Sequence, residues 1–130
     1  MTESKNIKSS IIPKIASGFC GGISRTCSIC GAVSGGILAI NIFYGRSSPE
    51  ESIDPCFNAV RKFIASFEKE FGTTSCQQLI NCDLGTEEGQ AYFKNYRMID
   101  KCYKITGKAA ELAVSIIDEY TENIKKVLEI

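Results

Sequence analysis

Apolar residues recur every three or four positions along most of this chain, the spacing that gathers them on one face of an α-helix. The two longest patterns of this kind cover residues 55–71 and 98–128. Shorter helices are predicted at residues 11–19, around Cys76 and from Thr86. No stretch shows a convincing strand pattern of alternating apolar and polar residues. The pattern therefore predicts an all-α protein.

Residues 27–44 differ from the rest because nearly every position is apolar or small. Small residues recur four apart, as at Gly31 and Gly35, which places them on one helix face where a neighbouring helix can approach closely. The apolar run covers only residues 29–43, fewer than the roughly 20 that cross a bilayer, and Ser34 interrupts it. We therefore expect a buried Gly/Ala-rich helix at the centre of a small helical bundle, with little exposed surface and no membrane contact.

Several helix ends can be predicted from local sequence. The sequence SPEE at 48–51 has the spacing of a capping box with proline in the first turn, and it predicts a helix start. Pro55 falls later and predicts a break or a second start. Gly72 is expected to end this helix. Either Thr73 or Thr74 is expected to cap the next short helix.

Chain length and net charge limit the number of domains and the classes of function that are expected. The 130 residues predict one helical domain, 1–130, in which the polar residues 1–10 are expected to be flexible. Lys and Arg number 15 and Asp and Glu number 15, so the net charge is zero and a broad nucleic-acid surface is not expected. Residues 1–10 lack the apolar segment of a secretion signal. We therefore expect a cytoplasmic protein without structural disulfides.

Seven cysteines and no histidine direct attention to sulfur. The absence of histidine excludes Cys–His and Ser–His–Asp catalysis and every histidine metal site. Cys27 and Cys30 form a C-x-x-C pair, and Thr26 is predicted to cap a helix that begins at Cys27. Unpaired amides and the helix dipole would stabilise a thiolate there. We therefore expect Cys27 or Cys30 to be the most acidic thiol, with nearby Arg25 adding positive charge.

The remaining cysteines leave two alternatives open. Inward-facing thiols on different helices can meet at one centre, and four thiolates suit an iron–sulfur cluster or tetrahedral zinc. The first alternative is therefore a module that binds such a cluster or another thiophilic metal. Its candidate ligands are Cys27, Cys30, Cys76, Cys82 and Cys102. The second alternative is a structural helical subunit whose cysteines only fill space.

Several cysteine-bearing stretches resemble a known family. They are ASGFCGGI at 16–23, CGAVSGG at 30–36, YG at 44–45, CQQL at 76–79, CDL at 82–84, TEEG at 86–89, and Cys102 followed by AAEL at 109–112. Their order and glycine context resemble the redox-active proteins named for a C_GCAxxG_C_C cysteine pattern. The resemblance covers roughly residues 15–118.

The resemblance implies a helical redox protein, and it carries over to Cys30, Cys76 and Cys102, which we therefore expect to converge. The sequence departs from the family because Cys20 stands where glycine is common and Cys27 is an additional cysteine. The chain also begins too late for the earlier helix that carries the first family cysteine. Either Cys20 or Cys27 replaces that thiol, or the site is altered.

The leading prediction is electron or thiol–disulfide transfer through Cys30 and a nearby partner thiol. The candidates for the exchanging set are Cys27, Cys30, Cys76 and Cys102. The reaction would require a separate redox partner protein, which the resemblance does not identify. Association into a homo-oligomer would be one way to cover the apolar central helix.

Overall fold

The computed structural model describes residues 1–129 and has six right-handed α-helices. They are α1 Ile11–Ala16, α2 Gly31–Tyr44, α3 Asp54–Phe71, α4 Cys76–Ile80, α5 Glu87–Asn95 and α6 Met98–Leu128. Short 3-10 turns cover Glu3–Lys5 and Ser17–Phe19. Within residues 1–129 there is no β-strand, and an isolated bridge joins Ile29 to Ser75. The all-α prediction is confirmed.

The three long helices, α2, α3 and α6, pack against one another and enclose the core. Its largest fully buried side chains are Val33, Ile40, Phe63, Phe67, Ile105 and Ile117. Close packing depends on a small residue at Gly36, because a Cβ atom there would overlap the ring of Phe63. The small residues of α2 therefore admit the large aromatic side chains of α3.

The central helix differs from its prediction at one end and on one face. It begins at Gly31 instead of Cys27, because Cys27 has a φ of 57° and Cys30 is extended, with ψ of 134°. One face is open, and Ile42 is 42% exposed. The expectation of little exposed surface is therefore wrong for that face. None of the helices among residues 1–129 is both long and apolar enough to cross a membrane.

Several helix ends follow their local sequence signals. Gly72 ends α3 with a φ of 79°, and the predicted 98–128 helix is α6. Thr86 caps α5 by accepting a hydrogen bond from Gly89 N at 2.9 Å. For α3 and α4, the predicted first residues differ from the observed ones.

The predicted helix start at 48–51 is wrong. The Glu51 carboxylate accepts from Ser47 N at 3.0 Å, which closes a turn, and α3 begins at Asp54 with Pro55 in its first turn. The cap of α4 is neither of the two predicted threonines. Ser75 holds that position, and its hydroxyl accepts from Gln78 N at 3.3 Å.

The polar segment before α1 makes specific contacts with the helices. Lys5 forms an ion pair with Asp118 on α6, and Met1 packs against the edge of the core. Met1 also lines the cavity described next. The segment therefore covers one side of the bundle.

Candidate functional site

The chain between the 3-10 turn and α2 forms an unusual left-handed turn. The segment Cys20–Arg25 has helical hydrogen bonding, but φ is positive at Gly21, Gly22, Ile23, Ser24 and Arg25. Glycine adopts this conformation freely, whereas each other residue loses about 1–2 kcal/mol. Side-chain hydrogen bonds secure the turn: Ser24 donates to the carbonyl of Gly18 at 2.8 Å, and Thr26 donates to that of Ile23 at 2.9 Å.

The left-handed turn brings Gly22 directly onto Cys76 of α4. A Cβ atom at Gly22 would lie 2.5 Å from the Cβ of Cys76 and 3.0 Å from its sulfur. The carbonyl of Gly22 also accepts from Ser28 N at 3.1 Å. Only glycine satisfies both the positive φ and the close approach. Local sequence at the GG pair therefore positions a thiol that is distant in the chain.

A short antiparallel bridge joins the segment that carries Cys30 to the segment that carries Cys76. Ile29 pairs with Ser75, and each cysteine is the next residue in its own segment. The bridge is held by Cys30 N–H to the Thr74 carbonyl at 2.8 Å and Cys76 N–H to the Ser28 carbonyl at 3.0 Å. Side chains alternate between faces along extended backbone, so both cysteines point to the face opposite Ile29 and Ser75.

Four cysteine side chains meet at one cavity, which we call the thiol cavity. Its volume is about 360 Å³, and it lies at the N-terminal end of α2 against α4 and α6. The cysteines in its wall are Cys20, Cys30, Cys76 and Cys102. The other residues in its wall include Leu79, Ile80, Leu84, Phe93, Ile99 and Ile105. The structure thus brings together Cys30, Cys76 and Cys102, as expected.

The four thiols differ in exposure, and burial raises the pKa of two of them. Cys20 is exposed, Cys30 and Cys102 are half-buried, and Cys76 is 9% exposed. Burial, reinforced by the neighbouring thiols, raises the pKa of Cys76 from 9.0 to about 11. Burial also raises the pKa of Cys102. Both thiols are therefore protonated at neutral pH, while Cys20 is the one most open to solvent.

Cys27 lies outside the thiol cavity and is held by Asp83. Its S–H donates to Asp83 Oδ1 at 2.7 Å, and Gly85 N donates to the same oxygen at 2.7 Å. The hydrogen bond to Asp83 is the main cause of the raised pKa of Cys27, followed by burial and the negative charge of Asp83. The same bond lowers the pKa of Asp83. The prediction that Cys27 lies in a first helical turn is therefore wrong, and its thiol is less acidic than usual.

Cys82 and Cys56 occupy separate positions. Cys82 lies next to Asp83, and burial followed by the charge of Asp83 raises the pKa of its thiol. Cys56 is buried in the core and donates to Asn41 Oδ1 at 3.2 Å. Neither residue lines the thiol cavity. The structure therefore does not bring all five candidate metal ligands to one centre.

The side chains do not form a ligand set for a metal. Within residues 1–129, no three His, Cys, Asp or Glu side chains are placed so that they could hold one ion. All seven cysteines are free thiols. The residues as placed do not fit an iron–sulfur cluster or zinc, and we derive no step through either.

Cys20 lines the thiol cavity, although the sequence offered it only as one of two possible replacements for the first family cysteine and not among the exchanging set. A Cβ at Gly31 would lie 2.9 Å from the Phe19 carbonyl and 3.3 Å from the Cα of Cys20, so the two segments touch through their backbones. The sequence signal for this contact is the CGG run at 20–22 together with glycine directly after Cys30. The sequence shows which glycines permit a close approach of the backbone, but it does not show which segments they contact.

The order of the cysteines along the chain can be compared with known families. A sequence model described as "Putative redox-active protein (C_GCAxxG_C_C)" matches residues 1–116. The chain belongs to the C_GCAxxG_C_C family. The family resemblance drawn from the sequence is therefore confirmed. No curated protein and no solved structure matches this C_GCAxxG_C_C protein.

Proposed function

We propose that this protein transfers electrons by thiol–disulfide exchange at the thiol cavity, with Cys30 and Cys76 as the exchanging pair. The observation that carries the proposal is that both cysteines line the same cavity, on one face of the two segments that the antiparallel bridge joins. Membership of a family described as redox-active supports it. Cys27, also a candidate from the sequence, is bound to Asp83 outside the cavity, and the proposal assigns it no part in the exchange.

Cys30 is the attacking thiol of the proposal. It directly precedes the first residue of α2, a helix of 14 residues. It is also more exposed than Cys76. A weakly acidic, buried thiol makes a poor first nucleophile, because the thiolate is the reactive form. Cys76 is therefore the resolving thiol, and Cys102 is a third thiol within the same wall.

The reaction balances in two displacements. The Cys30 thiolate attacks one sulfur of an incoming disulfide, whose S–S bond breaks and releases one thiolate that takes up a proton. Cys76 then loses its proton and attacks the Cys30 sulfur, which releases the second thiol. Two cysteine thiols are oxidised to one protein disulfide, and one external disulfide is reduced to two thiols. The reverse sequence regenerates the reduced protein.

The experiment is oxidation of the reduced protein by a small disulfide, with cross-links mapped by peptide mass spectrometry. We expect a Cys30–Cys76 cross-link to form first in the wild type. C30S should lose the fast phase, whereas C56S should retain it because Cys56 lies in the core away from the cavity. Oxidation of C30S at the wild-type rate, or cavity thiols that stay reduced, would contradict the proposal.

The wild type, C30S and a further variant, C76S, test the two alternative functions. Metal retained after anaerobic purification, and lost in C30S and C76S, would support a metal-binding module. Cysteines that neither oxidise nor bind metal would support a purely structural role.

A further inference from the structure

We infer that the thiol cavity takes a small, uncharged organic disulfide as its co-substrate, in preference to charged disulfides such as oxidised glutathione. This inference rests on the exchange reaction proposed above. It is drawn from the chemistry of the cavity wall, which the assignment of Cys30 and Cys76 does not use. The wall determines which disulfides can reach those two sulfurs.

The wall of the thiol cavity is almost entirely apolar. Among the described residues that line it, none has a charged side chain, and the one charged group that a wall residue carries is the α-amino group of Met1. Apart from the four thiols, the polar side-chain groups in the wall belong to Tyr103 and Thr106, both exposed residues of α6. An uncharged ligand therefore meets apolar surface and sulfur, with hydroxyl groups on one side.

Two charged side chains of the loop segments, those of Asp83 and Arg25, lie outside the cavity wall. Asp83 accepts hydrogen bonds from Cys27 and Gly85, and it lies outside the cavity wall. Arg25 is the last residue of the left-handed turn, its Cγ methylene lies near Gly21, and it does not line the cavity. An ammonium group carried into the cavity would therefore lose its hydration without gaining an ionic partner. Of the two carboxylates of a dianionic disulfide, at most one could pair with the α-amino group of Met1.

That loss decides the selectivity. Moving an unpaired charge from water into apolar surroundings is strongly unfavourable, whereas burial of an aromatic or aliphatic group is favourable. A cavity of about 360 Å³ is near the lower end of the range for small-molecule sites, about 300–1,000 Å³. It suits a compact two-ring disulfide better than a peptide segment. Charged disulfides keep access to exposed Cys20, but not to Cys76.

The bond changes with this co-substrate are those of the exchange reaction. The uncharged disulfide R–S–S–R loses its S–S bond to the Cys30 thiolate and releases one R–SH after protonation. Attack by Cys76 on Cys30 releases the second R–SH and closes the protein disulfide. No further oxidant is required, because R–S–S–R accepts both electrons.

The experiment compares two aromatic disulfide probes, an uncharged dithiodipyridine and the dianionic dithiobis(nitrobenzoate). Rates of Cys30–Cys76 disulfide formation are measured for each in the folded protein at neutral pH. Each rate is divided by the rate of the same probe with a small free thiol, which removes intrinsic reactivity. We expect the normalised preference for the uncharged probe to be about tenfold or more in the wild type.

A charge placed in the wall tests the cause. T106K adds a cation at an exposed position of α6 that lines the cavity, and S115K adds the same charge at an exposed position of α6 outside the wall. T106K should reduce the preference severalfold by attracting the anionic probe, while S115K should leave it unchanged. The comparison of the two probes in the wild-type protein does not depend on either variant.

Each result has one meaning. Equal normalised rates in the wild type, or faster reaction of the anionic probe, would overturn the inference and leave the exchange function intact. Failure of both probes to produce a disulfide between cavity cysteines would overturn the exchange function and the inference with it. An uncharged-probe preference that T106K and S115K change equally would also overturn the inference, because the wall would not be its source.

Discussion

The contact between Gly22 and Cys76 can be tested by comparing two adjacent glycines of the left-handed turn. Gly21 and Gly22 have nearly the same backbone conformation, with φ of 63° and 60°. Alanine at either position loses about 1–2 kcal/mol from the left-handed conformation alone. The two positions differ in what the new methyl group meets, so their difference isolates the packing against Cys76.

The surroundings give the expected magnitudes. At Gly21 a Cβ would meet the Cγ of Arg25 at 3.5 Å and Leu84 at 3.9 Å, which are ordinary contacts. At Gly22 it would lie 2.5 Å from the Cβ of Cys76, and such overpacking adds about 1–3 kcal/mol. We therefore expect G21A to lower the free energy of unfolding by about 1–2 kcal/mol. G22A should lower it by about 2–5 kcal/mol, the sum of both contributions.

The assay is urea unfolding of the reduced proteins, with stability taken from the midpoint at constant slope. G107A is the matched control, because Gly107 lies within α6 and a Cβ there meets nothing within 4 Å. It should stabilise the protein by about 0.5–1 kcal/mol. In a C76G background the excess cost of G22A over G21A should disappear. If G22A costs no more than G21A in the wild-type background, the close approach of Gly22 to Cys76 is refuted.

Two further predictions concern proton equilibria. Because burial raises the pKa of Cys76 from 9.0 to about 11, the stability conferred by its neutral form is present below about pH 9 and is lost as pH rises through 11. The loss amounts to up to about 2–3 kcal/mol of the free energy of unfolding. C76A, measured by urea unfolding over the same pH range, should lack this loss. An equal pH dependence in the wild type and in C76A would contradict the prediction. D83A removes the hydrogen-bond acceptor and the negative charge that raise the pKa of Cys27. Alkylation of Cys27 near pH 8, measured by mass spectrometry with Cys56 as the internal control, should therefore be severalfold faster. An unchanged rate at Cys27 would show that Asp83 does not control it.

The sequence predicted the long helices well because their signals are local and repeated. The apolar pattern of α6 recurs over its whole length, and Gly72 marks the end of α3 through a backbone preference. The start of α3 was misplaced because Glu51 accepts from the amide of Ser47, so the capping residues close a turn there instead. A capping pattern identifies suitable residues, but it does not decide which of two nearby starts the packing selects.

The candidate site was predicted in part for a related reason. The convergence of Cys30, Cys76 and Cys102 was expected from the family resemblance, and the thiol cavity contains all three. The helical position predicted for Cys27 was wrong because a C-x-x-C spacing predicts one helix face only if the segment is helical. The positive φ of Cys27 and the partner Asp83, distant in sequence, are tertiary features that spacing alone does not contain.

The burial of Cys76 is compatible with redox chemistry because burial penalises only one of its forms. A thiol and a disulfide are both uncharged, so neither is disfavoured by apolar surroundings, whereas the thiolate is. With a pKa of about 11, Cys76 is ionised to about one part in ten thousand at pH 7, which suppresses attack on molecules it meets by chance. Attack on Cys30 is different, because a mixed disulfide holds the target sulfur beside it at high effective concentration. In the proposed exchange, the wall of the cavity would thus favour oxidation of Cys76 after Cys30 has reacted over oxidation of Cys76 alone.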